Sequence, residues 1–228
     1  MNTQRLTLIT AILLAILVII AIFFFRSGSN PETVVDTPTE PIAFSLEGQP
    51  AIGDPNAPVK LALFEDFKCP ACKAFEEMVW PKLEKDYVAT GKVQAHFVYF
   101  QIINGSTDAG IASECVYHQN EKLFWDYKTI IYRSQEDERS NWATPEKMVE
   151  LAKTYVPDIN TDELKTCLEE KRYADDIQKD RDMGETAGVQ GTPSLFVNGK
   201  KIEVTANTFD EYYDQVKATI DAAVESGN

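Results

Sequence analysis

Cys69 and Cys72 stand three residues apart in FEDFKCPACKAF, residues 64–75, flanked by Lys68 and Lys73 and preceded by Glu65 and Asp66. Two thiols at this spacing can form a reversible disulfide, supply half of a zinc site, or act as a fixed staple. A zinc site needs two further ligands at close spacing. The remaining candidates, Cys115, Cys167, His96 and His118, are scattered singly, so no metal is expected. A staple across so short a loop removes little entropy from the unfolded chain. Redox exchange fits the pair best and calls for no cofactor beyond the two sulfurs.

The surrounding pattern says how the pair is held. VKLALFEDF, from Val59, suits a largely buried strand that delivers Cys69 at its end, and Phe75, Val79, Leu83 and Tyr87 then recur at helical spacing to about Gly91, with a kink expected at Pro81. A cysteine at a strand-to-helix junction meets the unpaired N–H groups and the positive end of the helix dipole, which favour a thiolate. Cys69 is therefore expected to be the nucleophile and Cys72, one turn on, the resolving thiol. Pro70 suits the first helical turn, where a missing N–H costs nothing. Lys68 and Lys73 should favour the Cys69 thiolate and Glu65 and Asp66 oppose it, so the residues leave the net shift unsigned.

After a second strand at 92–100, parallel to the first if the helix is a crossover, the sequence from about Asp108 to Gly188 reads as helices. Thr144 with Pro145, and Asn160 with Glu163, mark two helix starts. Strand signals return at Ser194–Val197, Asn198-Gly199 is a hairpin turn, Lys201–Val204 is the expected return strand, and a last helix spans about Thr208–Glu225. The order implies a small α/β sheet interrupted by a helical insertion at about 107–188. QEDERSN, 135–141, reads as a solvated charged loop without EF-hand spacing. His96 and His118 read as packing or surface residues, and Trp80, Trp125 and Trp142 as packing.

The N-terminus is a different material. Leu6 to Phe25 holds only apolar side chains and two threonines and ends in Phe23, Phe24, Phe25 and Arg26. It is long enough to span a bilayer, longer than the apolar region of about 7–15 residues in a cleavable signal, and lacks a small-x-small ending. Residues 1–26 are thus expected to form a transmembrane signal anchor, 27–41 a flexible tether rich in Ser, Thr, Pro and acids, and 42–225 the folded domain. Arg5 before the span and Glu32, Asp36 and Glu40 after it place the N-terminus inside and the domain outside the cell membrane. An oxidising exterior is where four cysteines can persist as disulfides. The formal net charge of −14 excludes nucleic acid and anionic lipid surfaces as natural partners.

IGDPNAPVKLALFEDFKCPACKAFE, the helical block and GVQGTPSLFVNGK together resemble the DsbA-like thiol-disulfide oxidoreductases of the thioredoxin superfamily, most of all the membrane-tethered BdbD group. The resemblance covers about residues 42–225. It implies a thioredoxin fold with an inserted helical subdomain, and a cis proline at Pro193 beside the CxxC, where Pro193 and the Thr192 backbone position an extended substrate chain; a trans proline opening a strand is the plainer alternative. It also implies oxidation of exported proteins, with reoxidation by a quinone-linked membrane partner of the DsbB type. Cys115 and Cys167 lie on the apolar faces of two helices of the block. Some relatives join these helices by a disulfide, and the even cysteine count agrees, although buried free cysteines would also fit there.

Two departures from the family pattern stand out. Ala71 replaces the histidine that enteric members carry between the cysteines, and Leu63 occupies the position of a buried acid. Glu65, two residues on along the same strand face, is either a substitute proton relay or an exposed acid. A reductase or isomerase fed through the membrane is the competing activity, and a redox-inert metal-binding module the competing class. No dimerisation segment is visible, so a monomer is expected.

Overall fold

A computed structural model describes residues 44–226; the expected anchor and tether lie outside them. Among the described residues no helix is long and apolar enough to cross a membrane. The strands are β1 Ala51–Ile52, β2 Val59–Glu65, β3 Val93–Tyr99, β4 Ser194–Val197 and β5 Lys200–Lys201, in the sheet order β1-β3-β2-β4-β5. β2 and β3 are parallel and register from Val59 opposite Val93 to Glu65 opposite Tyr99. β4 runs antiparallel on the other side of β2, with Ser194 opposite Phe64. This register sets the residues just before Ser194 beside the end of β2, where the cysteine motif begins.

Between β2 and β3 lie α1 Pro70–Met78 and α2 Trp80–Leu83, continuing into a π-helical turn at Glu84–Val88. The expected kink at Pro81 is a full break at Val79. Proline cannot donate to the preceding turn and crowds it, so the helical hydrogen bonding is reset. The following turn widens, with Ala89 N–H reaching Glu84 O at 2.8 Å. Phe75, Val79, Leu83 and Tyr87 are all buried, so the apolar stripe survives the break. They pack with Leu61 and Leu63 of β2 and with Val216 and Ile220 of the last helix, α8 Phe209–Ser226.

The insertion comprises α3 Thr107–Gln119, α4 Glu121–Arg133, α5 Pro145–Tyr155, α6 Thr161–Glu169 and α7 Ala174–Thr186. Asn120, Thr144 and Asn160 cap α4, α5 and α6 by accepting backbone N–H bonds from Lys122, Lys147 and Glu163. Cys115 of α3 and Cys167 of α6 form a disulfide with their Cα atoms 6.1 Å apart. The core of the insertion is continuous with Phe97 and Tyr99 at the end of β3 and with Phe67, Cys69 and Cys72. Trp80 and Trp125 stack across the seam at 5.6 Å.

At the hairpin, Asn198 and Gly199 have φ of 48° and 80°, the left-handed pair that a two-residue turn of this hand requires. The return strand is Lys200–Lys201, shorter than the expected 201–204 and starting one residue earlier. After Ile202, which is buried and bonds Leu195 O at 2.8 Å, the chain leaves the sheet for α8, where the Gln215 side chain holds Thr205 N–H. β1, against the far edge of β3, has no counterpart in the sequence reading, because two residues are too short to show alternation.

Candidate active site

Cys69 is the N-cap residue of α1, with extended backbone and Pro70 at the first helical position. Its Sγ–H donates to the backbone carbonyl of Thr192 at 3.3 Å. The Thr192–Pro193 peptide bond is cis. The chain just before β4 therefore lies against the sulfur, although more than a hundred residues separate the two in sequence. Cys69 and Cys72 are both free thiols; Cys69 is 5% exposed and Cys72 fully buried.

The two thiols differ sharply in acidity. The Cys69 pKa falls to about 6: the Cys72 thiol hydrogen-bonds its thiolate, burial opposes the charge, and the Cys72 and Ala71 backbone N–H groups add to the stabilisation. Cys72 moves the other way, held well above the usual thiol range by burial, then by its role as donor to Cys69 and by the charge of Glu65. One exchangeable thiolate at the mouth and one reluctant thiol behind it make an asymmetric pair, and only the first is suited to nucleophilic exchange. The absent histidine at Ala71 is thus replaced by other donors.

The charged neighbours behave differently from what their sequence proximity suggests. Lys68 is buried, and its ammonium donates to Asn104 O and Ser140 O, both at 2.8 Å, so it ties two loops together rather than facing the thiolate. Asp66 is also buried and accepts from the backbone N–H groups of Lys68, Ile102 and Ile103. Lys73 is half-buried on α1. None of the two lysines and two acids is among the leading influences on Cys69, and Glu65 acts instead on Cys72. Glu65 is fully buried, with its pKa raised to about 7 by burial, against the lowering effect of Lys128. Leu63 packs in the apolar layer under α1.

Three site neighbours escaped the sequence reading. Gln135, assigned to a solvated loop, sends its side-chain amide to Phe67 O at 2.7 Å and Cys69 O at 3.1 Å, fixing the backbone on which Cys69 stands. Nothing in the local sequence marks it. Lys128 and Glu76 are buried behind the cysteines and bonded to each other at 2.5 Å. Each had a signal: Glu76 follows Phe75 on the stripe of Cys72 and Val79, and Lys128 follows Phe124 by one turn on the buried face of α4. His96 and His118 join no site; His96 is buried in β3 and His118 stacks on Tyr173 at 4.2 Å. Cys115 and Cys167, bonded to each other, are not available as further ligands for the CxxC.

Comparison with known proteins agrees with this geometry. A family model described as thioredoxin matches residues 45–222. Disulfide bond formation protein D of Bacillus subtilis is 35% identical over 178 residues, 78% of this chain and 78% of that protein. The probable disulfide bond formation protein D of Bacillus anthracis is 35% identical over 179 residues, 78% of this chain and 79% of that protein. Among solved structures, oxidised BdbD from Bacillus subtilis superposes with a TM-score of 0.72 at 34% identity, covering 79% of this chain and 95% of that one. Chlamydia trachomatis DsbA follows with a TM-score of 0.69 at 29% identity, covering 81% and 95%. The chain has the thioredoxin fold with a helical insertion, belongs to the DsbA-like disulfide bond formation protein D family, and is a protein thiol-disulfide oxidoreductase.

Proposed function

We propose that this oxidoreductase is an oxidase: its Cys69–Cys72 disulfide is passed to reduced proteins outside the cytoplasm. The observation that carries this direction is the low Cys69 pKa opposite a Cys72 pKa held high. Stabilising a thiolate that exists only in the reduced state favours that state, and a couple whose reduced form is favoured is a strong oxidant.

The reaction runs in two exchanges. A substrate thiolate attacks Cys69 Sγ, the Cys69–Cys72 bond breaks, and its electron pair leaves on Cys72 sulfur. A second substrate thiolate then attacks the substrate sulfur of the mixed disulfide, expelling Cys69 as a thiolate. The substrate loses two electrons and the enzyme disulfide gains them. Thr192 and Pro193 flank the attacked sulfur and guide the substrate chain past it. A quinone-linked membrane partner of the DsbB type takes the electrons from the reduced enzyme, which acts as a monomer on a single N-terminal anchor with its domain outside the cell membrane. Support for the anchor is the 20-residue apolar run Leu6–Phe25 and the charges around it.

The mechanism is tested by cysteine substitution. In Cys72→Ser the Cys69 thiolate can still attack a substrate disulfide in the reverse exchange, with no Cys72 to release it, so mixed disulfides with exported proteins should accumulate, resolved by non-reducing electrophoresis, and Cys69→Ser should form none and lose turnover. Turnover retained in Cys69→Ser contradicts the scheme.

A further inference from the structure

Among the described residues, Gln135 is the only one of the helical insertion whose side chain bonds the backbone that carries Cys69. It follows α4, and its own backbone is set by the helix end, with its N–H bonded to Tyr132 O at 3.2 Å. The half-buried side chain sends Nε2 to Phe67 O at 2.7 Å and to Cys69 O at 3.1 Å. Both partners are carbonyls, so the nitrogen and not the oxygen of the carboxamide faces them, and its two hydrogens serve one each.

These two carbonyls lie where regular structure leaves gaps. Phe67 stands between the last residue of β2 and the cap of α1, and among the described residues its carbonyl has no other donor. Cys69 is the N-cap; its N–H bonds Asp66 O at 3.0 Å, and its carbonyl takes the first helical bond from Lys73 N–H at 3.2 Å. Neither bond reaches the insertion. Gln135 ties the Cys69 carbonyl, and the one two residues before it, to the end of α4, so the turn from strand to helix is braced from outside. The loop that carries Gln135 has its own fastening: Ser140 O accepts from Lys68 Nζ at 2.8 Å, and Ser140 N–H bonds Asp137 O at 2.9 Å. Taking away the Gln135 amide therefore releases the turn at 67–69 while the loop stays tied.

We infer that Gln135 is a positioning residue for exchange at Cys69: it fixes the N-cap backbone so that Cys69 Sγ keeps one line to a substrate sulfur held beside Thr192 and Pro193. This rests on Cys69–Cys72 being the redox couple. Cys69 Sγ lies 3.3 Å from Thr192 O, so a small slip of the cap backbone changes where the sulfur sits against that segment. In the first exchange the substrate thiolate bonds to Cys69 sulfur as the electron pair of the broken bond leaves on Cys72 sulfur. In the second, Cys69 is itself the leaving thiolate. Each displacement needs its three sulfurs near one line, and a reacting group held off that line loses rate steeply. The carboxamide of Gln135 carries no charge and moves no proton, so it acts on the geometry of Cys69 and not on its acidity.

The test compares a thiol substrate that has a backbone with one that has none. The oxidised protein is mixed in single turnover with a reduced peptide carrying a pair of cysteines and, separately, with dithiothreitol, for the unsubstituted chain, Gln135→Met and Gln135→Glu. Both variants keep the length of the side chain and lose its two donors. A peptide lying along Thr192 and Pro193 meets Cys69 on one line, whereas dithiothreitol approaches freely, so the peptide rate should fall about ten- to a hundredfold while the dithiothreitol rate changes little. The midpoint of Cys69 alkylation should stay near pH 6 in both variants. Gln135→Met introduces no charge and is read alone if Gln135→Glu does not fold. A peptide rate that is unchanged, or that falls only in step with the dithiothreitol rate, overturns the inference, because Gln135 is then no more than a tie between two loops. A shifted alkylation midpoint that accounts for the lost rate overturns it as well. Absence of exchange with either reagent in the unsubstituted protein overturns the redox reading, and the inference with it.

Discussion

Cys69 is acidic because of hydrogen bonds from the Cys72 thiol and from the backbone of the first turn of α1. The rate of alkylation of Cys69 should therefore rise with a midpoint near pH 6, and Cys72→Ala, which removes the largest contribution, should move that midpoint up toward the ordinary thiol range. A depressed pKa also stabilises the folded reduced protein, since the folded thiolate is favoured over the unfolded thiol. That contribution is complete above the unfolded thiol pKa and is lost as pH falls through about 6. The expected outcome is that thermal unfolding of the reduced form occurs above that of the oxidised form at pH 8, with the gap closing near pH 5. The roles of Cys69 and Cys72 were legible from their strand-to-helix setting. The sign of the acidity was not, because it turns on how the Cys72 thiol and the first-turn N–H groups meet Cys69 in the fold, and because Lys68 and Asp66 turn out to serve loop backbones.

The elements were largely legible because their apolar stripes coincide with burial: Phe75, Val79, Leu83 and Tyr87 on α1, α2 and the π turn, and Leu164, Cys167 and Leu168 on α6. Thr144, Pro145 and Asn160 act as helix starts where their chemistry predicted. What escaped was the exact seat of the break near Pro81, which depends on how the preceding turn resolves a clash, and the buried charges Lys128 and Glu76, whose apolar stripes promise only packing. Two tests belong at this scale. The Cys115–Cys167 disulfide closes a separation of 52 residues. Replacing both cysteines by alanine should cost about 4 kcal/mol in the chain-entropy account, measured by denaturant unfolding, with the Cys69 alkylation profile unchanged. Gly110 of α3 meets the Tyr99 ring, to which an added Cβ would come within 2.7 Å. Tyr99 is itself pinned by its hydroxyl bond to Ser106 at 2.6 Å. Gly110→Ala should therefore destabilise the protein by about 1–3 kcal/mol through overpacking, read in the same unfolding experiment.

In the whole molecule the helical insertion does more than cover the sheet. Its core runs without a break into Phe97, Tyr99, Phe67 and both redox cysteines. Gln135 from its loop holds the Cys69 carbonyl, and Lys128 from α4 reaches the acid behind Cys72. The thioredoxin portion brings the strand end, the helix start and the Thr192–Pro193 segment together, and the insertion supplies the electrostatic setting in which they work. The formal net charge of −14 favours solubility of the domain, and the proposed anchor would hold it at the membrane beside the proposed electron acceptor. Anchoring predicts that Cys69 in intact cells, once treated with a membrane-impermeant reductant, reacts with a membrane-impermeant maleimide and fractionates with membranes; labelling only after lysis contradicts that placement. The direction of electron flow is the central claim, and the equilibrium reduction potential of the Cys69–Cys72 couple, measured against glutathione at pH 7, tests it most directly. A value more positive than about −200 mV is predicted, and one near the roughly −270 mV of thioredoxin would contradict the oxidase assignment.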